Sequence, residues 1–257
     1  MDLPKNGFKT ALREGRQQIG IWVSIPGSGS AEAIAGCGFD WLVIDSEHTA
    51  LDLPTMLAML QAVEPYPTHA VVRPGWNDAT EIKRILDLGA QSIIVPYVQS
   101  PDEAAQAVAA VRYPPEGMRG VAGTTRASRY GRVKDYTARA NAEICLLVQV
   151  ETAQALDRIE EIAAVDGVDG IFIGPADLAA SLGYPGQPSH PEVKARIFDA
   201  IRRVRAAGKP AGILMSDPAF AAEAVEAGTL FTAVDQDIAL LTRSARALAA
   251  KWKGRDD

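Results

Sequence analysis

The chain has 257 residues, 47% of them hydrophobic, and a formal net charge of −6. That is ample apolar material for one sizeable core, and no Pro/Gly/Ser-rich linker interrupts it, so a single domain over residues 1–257 is expected. The acidic balance argues against a nucleic-acid surface, and the absence of a long apolar window or signal-like leader points to a cytoplasmic protein with no membrane partner.

In chain order, short runs rich in Val, Ile and Leu predict strands at Ile19 to Ile25, Trp41 to Ser46, His69 to Arg73, Ser92 to Val98, Ile144 to Val150, Gly170 to Gly174, Pro210 to Met215 and Phe231 to Asp235. Each reads as a strand buried on both faces. Helix-patterned segments alternate with them. Asp78 with Glu81 and Ser100 with Glu103 have capping-box spacing, Pro101 and Pro218 fit a first helical position, and Gly38, Gly89, Gly208 and Gly228 fit helix ends. Eight such units match an α/β fold of the (β/α)8 TIM-barrel type; a doubly wound open sheet is the competing architecture. The run Gly27-Ser28-Gly29-Ser30-Ala31-Glu32 imitates a dinucleotide fingerprint, but Glu32 occupies the third glycine position and would oppose a pyrophosphate.

In a barrel of this kind, chemistry belongs at the C-terminal ends of the strands. That rim offers Asp45, Glu47 and His48 after strand two, Arg73 after strand three, Gln149 and Glu151 after strand five, Asp177 after strand six, and Met215, Ser216, Asp235 and Asp237 after strands seven and eight. None of the eight lysines falls there, which argues against Schiff-base chemistry. Cys37 and Cys145 have no metal spacing and fit a reducing compartment. A carbanion formed at this rim would need a metal ion. Glu151 and Asp177, on adjacent strands, are the ligand candidates, with helix capping as the alternative. His48 suits a general base or an ordinary loop histidine. Arg73 suits a carboxylate clamp or a structural ion pair with Asp45. His69 and His190 read as structural.

The stretches GFDWLVIDSEH, VVRPGWNDATEIKRILDLGAQSIIVPYVQ, VRYPPEGMRGV, LVQVET and GVDGIFIGPADLAASLGYPGQPSHPEV, in that order, resemble the HpcH/HpaI aldolase family, especially its 4-hydroxy-2-oxoheptane-1,7-dioate aldolase branch. The resemblance runs from about Asn6 to Lys253. It implies a class II pyruvate aldolase using Mg²⁺, Mn²⁺ or Co²⁺, acting on a small 2-oxo acid and an aldehyde. It also implies a homo-hexamer, a trimer of dimers, whose C-terminal helix, about 237–253, is exchanged between subunits. Carried over by position, Glu151 and Asp177 hold the metal, His48 is the base, and Arg73 binds pyruvate and steadies the enolate. Gln149 belongs to the pyruvate site, Asp87 pairs with the histidine, and Asp45 orients Arg73 or the histidine. The backbone of Gly174, Pro175 and Ala176 meets the pyruvate carboxylate, while Trp22 and Leu214 shape the pocket.

Some segments depart from the family. GMRGVAGTTRASRYGRVKDY keeps Arg119, Arg126, Arg129 and Arg132, but is shorter and differently spaced than the usual loop, which lies near a subunit interface and the acceptor end of the pocket. Solvated loop charge is the other reading of these arginines. SIPGSGS and LMSD also differ from the commoner residues, so the aldehyde stays open. An acyl-CoA lyase of the citrate-lyase β-subunit type and a non-catalytic small-acid-binding protein are the alternative functions.

Overall fold

Eight parallel strands, Gln18–Val23 (β1), Trp41–Asp45 (β2), His69–Arg73 (β3), Ser92–Val95 (β4), Cys145–Val150 (β5), Gly170–Ile173 (β6), Ala211–Leu214 (β7) and Thr229–Gln236 (β8), pair in sequence order, and β8 closes onto β1. The computed structural model describes residues 1–254. Closure makes the fold the (β/α)8 barrel and removes both the open sheet and the dinucleotide reading.

The strands are apolar on both faces because both faces are covered. Outward residues such as Ile21, Leu42, Ile44, Val72 and Ile93 pack under the helices, while Trp41, Val43, Val71, Leu147, Phe172 and Phe231 fill the interior. The floor of the barrel is closed by a helix that the sequence pattern did not reveal, Gly7–Arg13, capped by the Asn6 side chain. Its Phe8 ring lies 5.5 Å from Trp41 and 6.2 Å from Phe231, and its Leu12 joins the same cluster. Burying each is worth about 1.5–3 kcal/mol. A segment that reads as a charged N-terminus is amphipathic, and only the open end of the barrel gives its apolar side somewhere to go.

The helix signals hold with one modification. Asp78 and Ser100 cap their helices by accepting the amides of Glu81 and Glu103, but the two glutamates reach back to Gly75 N and Gln99 N rather than to the cap residues. Gly38, Gly89, Gly208 and Gly228 all have positive φ. Strand four ends at Val95, short of the predicted Val98, because Tyr97 turns into the left-handed region at φ 56°. Among the described residues no helix is long and apolar enough to cross a membrane.

Large interior rings demand small neighbours. A Cβ on Gly212 would sit 2.1 Å from the Phe231 ring, which is pinned by Phe8, Trp41 and Phe172. Gly212→Ala is therefore expected to lower stability by about 1–3 kcal/mol, read from the denaturant midpoint; an unchanged midpoint would show that the ring has room to move.

Candidate active site

Asp45 closes β2 and Arg73 closes β3, and the parallel register sets them side by side. Arg73 Nε and Nη2 each donate to one Asp45 oxygen at 2.8 Å, forming a bidentate pair. Burial works to raise the Asp45 pKa, but the hydrogen bond and charge of Arg73 outweigh it and hold the carboxyl below its ordinary value. The guanidinium lies 4.9 Å from the centre of the Trp22 ring, a cation–π contact that supports it from beneath. On its other side Nη1 is 2.6 Å from Glu47 Oε2, off the N–H direction, so that this buried oxygen has no hydrogen-bond donor.

Glu151 follows β5 and is 3% exposed. Its Oε1 accepts the Tyr97 amide at 2.7 Å and its Oε2 accepts Gln149 Nε2 at 2.9 Å, while Gln149 Oε1 stays buried without a partner. Room for this carboxylate depends on Gly174, where a Cβ would approach Glu151 Oε2 to 2.3 Å. Burial, with the neighbouring charges of Asp177 and Glu47, pushes the Glu151 carboxyl up to about 7 against the opposing Tyr97 amide and Arg73. Asp177 stands in the first turn of the helix Pro175–Ser181. Neither acid is a helix cap: Thr152 caps the helix after β5, and Gly174 holds the cap position after β6.

These groups face one cavity of about 490 Å³ at the C-terminal end of the barrel, lined by Trp22, Asp45, His48, Arg73, Gln149, Glu151, Gly174, Pro175, Ala176, Asp177 and Leu214. Ser24, Phe172, Gln236 and Ile238 complete the wall. In the sequence Glu47 stands out only as a residue at a strand end; its two-residue offset from Asp45, which puts both side chains on one side of an extended chain, is the signal for its place here. The imidazole of His48 is 67% exposed at the mouth, its Nε2 3.8 Å from Glu47 Oε1.

Asp87 is the exception among the expected site residues. It ends the helix Ala79–Asp87, which runs from the C-terminal end of β3 back towards the start of β4, and so lies at the opposite end of the barrel from His48. Within one chain the expected pairing of these two residues is not made. The arginine segment lies at that same lower end, away from the pocket, and three of its four arginines are paired, whereas Arg132 is exposed with no ion pair among the described residues. Arg119 pairs with Asp87, and Arg126 and Arg129 both pair with Glu64. At the end of β8 Asp235 binds Arg243, and just beyond the strand Asp237 accepts the amides of Ser24 and Ile25, so both have structural employment.

The pocket sets four carboxylates, of Asp45, Glu47, Glu151 and Asp177, against one guanidinium. Burial is the first cause of the raised Glu151 pKa and the imbalance adds to it; a divalent cation between Glu151 and Asp177 would offset both. Among the described residues no group of three or more His, Cys, Asp or Glu side chains converges as a metal cage. Two carboxylates suit instead a hard cation that takes its remaining oxygens from substrate and water.

A (β/α)8 barrel with an acidic, Arg-bearing pocket at its C-terminal face has the layout of an enzyme active site. A family model described as HpcH/HpaI aldolase/citrate lyase matches residues 18–244. A hydroxypyruvate/pyruvate aldolase of Sagittula stellata is 59% identical, covering 98% of this chain and 100% of its own, and a pyruvate aldolase of Rhizobium etli is 58% identical, covering 98% and 99%. The crystal structure of a family protein from Burkholderia cenocepacia J2315 superposes with a TM-score of 0.93 at 39% identity, covering 97% of this chain and 100% of that one. The chain belongs to the HpcH/HpaI aldolase family and is a carbon–carbon lyase.

A cation held by Glu151 would have to displace the proton that its raised pKa retains. Because its folded pKa of about 7 lies above the ordinary 4.5, the metal-free folded state keeps a proton that the unfolded chain has lost. Stability of the metal-free protein should therefore fall as pH rises from about 4.5 to 7, by up to about 3 kcal/mol, and recover on adding Mn²⁺. Calorimetric Mn²⁺ titrations should show affinity increasing through pH 7, with about one proton released per ion below it. An affinity that ignores pH over this window would refute the assignment of Glu151.

Proposed function

We propose that this protein is a divalent-metal-dependent class II aldolase that reversibly cleaves 4-hydroxy-2-oxo acids into pyruvate, or a close 2-oxo acid, and an aldehyde. The carrying observation is the buried Glu151 beside Asp177, facing Arg73 in a cavity that no lysine lines. In this reading Glu151 and Asp177 hold the cation, which is Mg²⁺, Mn²⁺ or Co²⁺. When bound, the cation supplies Lewis-acid stabilisation of negative charge on the substrate's keto oxygen.

The protein's own groups do the rest. The remaining N–H groups of Arg73 bind the 2-oxo acid and oppose charge as it develops on the keto oxygen. Asp45 and the Trp22 face keep the guanidinium from turning. The backbone of Gly174, Pro175 and Ala176 meets the carboxylate, and Gln149, bonded to Glu151, closes that side. His48 Nε2, directly or through water, takes a methyl proton; the resulting enolate carbon attacks the aldehyde, whose oxygen takes up a proton as the C–C bond forms, and in cleavage the C4 hydroxyl gives up its proton as that bond breaks and the imidazole returns one to the enolate carbon. Cleavage is the physiological direction in this proposal. Trp22 and Leu214 shape the pocket around the reacting carbons.

Two features support an assembly of copies, for which we propose the hexamer. His48 has no hydrogen-bond partner among the described residues to fix its ring, and Asp87 stands at the far end of the barrel, so their pairing requires a second copy. The C-terminal helix Asp237–Lys253 buries only Asp237 and exposes Leu241, Leu248 and Trp252, the pattern of a helix exchanged with a neighbour. The reading places the protein in the cytoplasm, where its two free cysteines stay reduced.

Solvent deuterium exchange into the pyruvate methyl group, followed by NMR, tests the first half-reaction without knowledge of the aldehyde. Exchange should need Mg²⁺ or Mn²⁺ and fall by at least about 100-fold in His48→Ala. Mixed assemblies refolded from His48→Ala and Asp87→Asn chains should regain part of the activity that each variant lacks. Absence of exchange from folded, metal-loaded protein would overturn the aldolase reading; failure of the mixture alone would overturn the shared site.

A further inference from the structure

Arg119 and Asp87 are each placed in a way that disfavours folding unless something else is gained. Its side chain is fully buried, yet only Nη2 has a hydrogen-bond acceptor, Asp87 Oδ1 at 2.9 Å; Nε and Nη1 are buried without one. A desolvated guanidinium with unmet donors is costly, and well-packed apolar side chains often replace such buried pairs without loss. Asp87, for its part, is the last residue of its helix, where the carbonyl end of the macrodipole opposes a carboxylate. The two unfavourable placements answer each other.

The pair is also held rigidly. The Arg119 guanidinium carbon lies 4.3 Å from the centre of the Tyr113 ring, and Tyr136 packs edge-on against that ring at 6.3 Å. The Arg119 amide donates to Arg112 O, at the end of the helix Pro101–Val111, and Ala127 N donates to Asp87 O, so the loop is tied to the ends of two helices. Asp87 is 23% exposed on its side chain, and no donor among the described residues engages Oδ2. One carboxylate oxygen is thus fixed by a buried cation and the other is presented at the surface.

We propose that Arg119 is a positioning residue, which orients Asp87 so that its free Oδ2 accepts the imidazole N–H of His48 of the partner subunit. This rests on the shared-site reading of Asp87 given above. Arg119 itself touches neither substrate nor metal; it acts through Asp87, as a rigid planar donor that a flexible ammonium does not reproduce.

The test is a double-mutant cycle on pyruvate methyl exchange with the Mn²⁺-loaded enzyme, using Arg119→Met, Arg119→Lys, Asp87→Asn and the double variants, with thermal unfolding and particle size measured alongside. Asp87→Asn should lower kcat about tenfold or more with the pyruvate KM little changed. Arg119→Met should do the same, and adding it to Asp87→Asn should cost nothing further. Arg119→Lys, which keeps the charge, should give an intermediate loss in the wild-type background and none in the Asp87→Asn background; it carries the test if the methionine variant fails to fold or assemble. A loss at Arg119 that multiplies with that of Asp87→Asn, or rises chiefly in KM, would make Arg119 structural and overturn the proposal. Asp87→Asn with wild-type exchange would overturn the shared-site reading itself, whereas a slow Asp87→Asn with fully active Arg119 variants would overturn only the role of Arg119.

Discussion

The bidentate pair between Asp45 and Arg73 is the contact on which the pocket is built. It joins the ends of two neighbouring strands at matched register, so the barrel's closure and the position of its one pocket cation are the same geometric fact. Either charge alone would be expensive at that depth. Together, with the Trp22 ring on one side and Glu47 on the other, they fix a guanidinium that has little freedom left to lose when a substrate arrives. Trp22 in turn packs against Phe172, so the aromatic interior of the barrel sets the height of the site above its floor.

Around that fixed cation the pocket is overloaded with negative charge. Asp45 is satisfied by Arg73 and stays ionised easily, whereas Glu151, equally deep, receives only an amide from the backbone and one from Gln149. The contrast between a carboxyl held below its ordinary range and one raised to about 7 divides the acids by task. The first is structural electrostatics; the second is the proposed cation ligand. Gly174 belongs to the same arrangement, because the depth that raises the Glu151 pKa is reached only where the next strand end carries no side chain.

A single chain is incomplete in a specific way. Among the described residues the imidazole at the mouth has no orienting partner, an acid at the opposite end is fixed by a buried arginine with one oxygen to spare, and the last helix leaves its apolar side chains in solvent. Each fits the surface of a subunit in the proposed hexamer. Oligomerisation in this reading is part of the active site rather than an addition to it.

Much of this was legible in the sequence. The alternation of apolar runs with capped, helix-patterned segments determined the eight units and their order, because local propensity and burial on both faces act over a few residues at a time. The strand ends determined where the acids, His48 and Arg73 would gather, and the ordered family motifs identified the lyase. Several features are not local and were not legible. The Gly7–Arg13 plug exists because the barrel has an open floor. Glu47 enters the site because Arg73 has a third side to cover. The charge balance around Glu151 depends on groups brought from strands distant in sequence. Asp87 and His48 were matched as a pair by resemblance, but only the tertiary structure placed them at opposite ends of the barrel, since a helix that follows a strand must run back along it. Sequence determines what each segment prefers; distance and burial, which decide what a charge is worth, are set only when the segments close on one another.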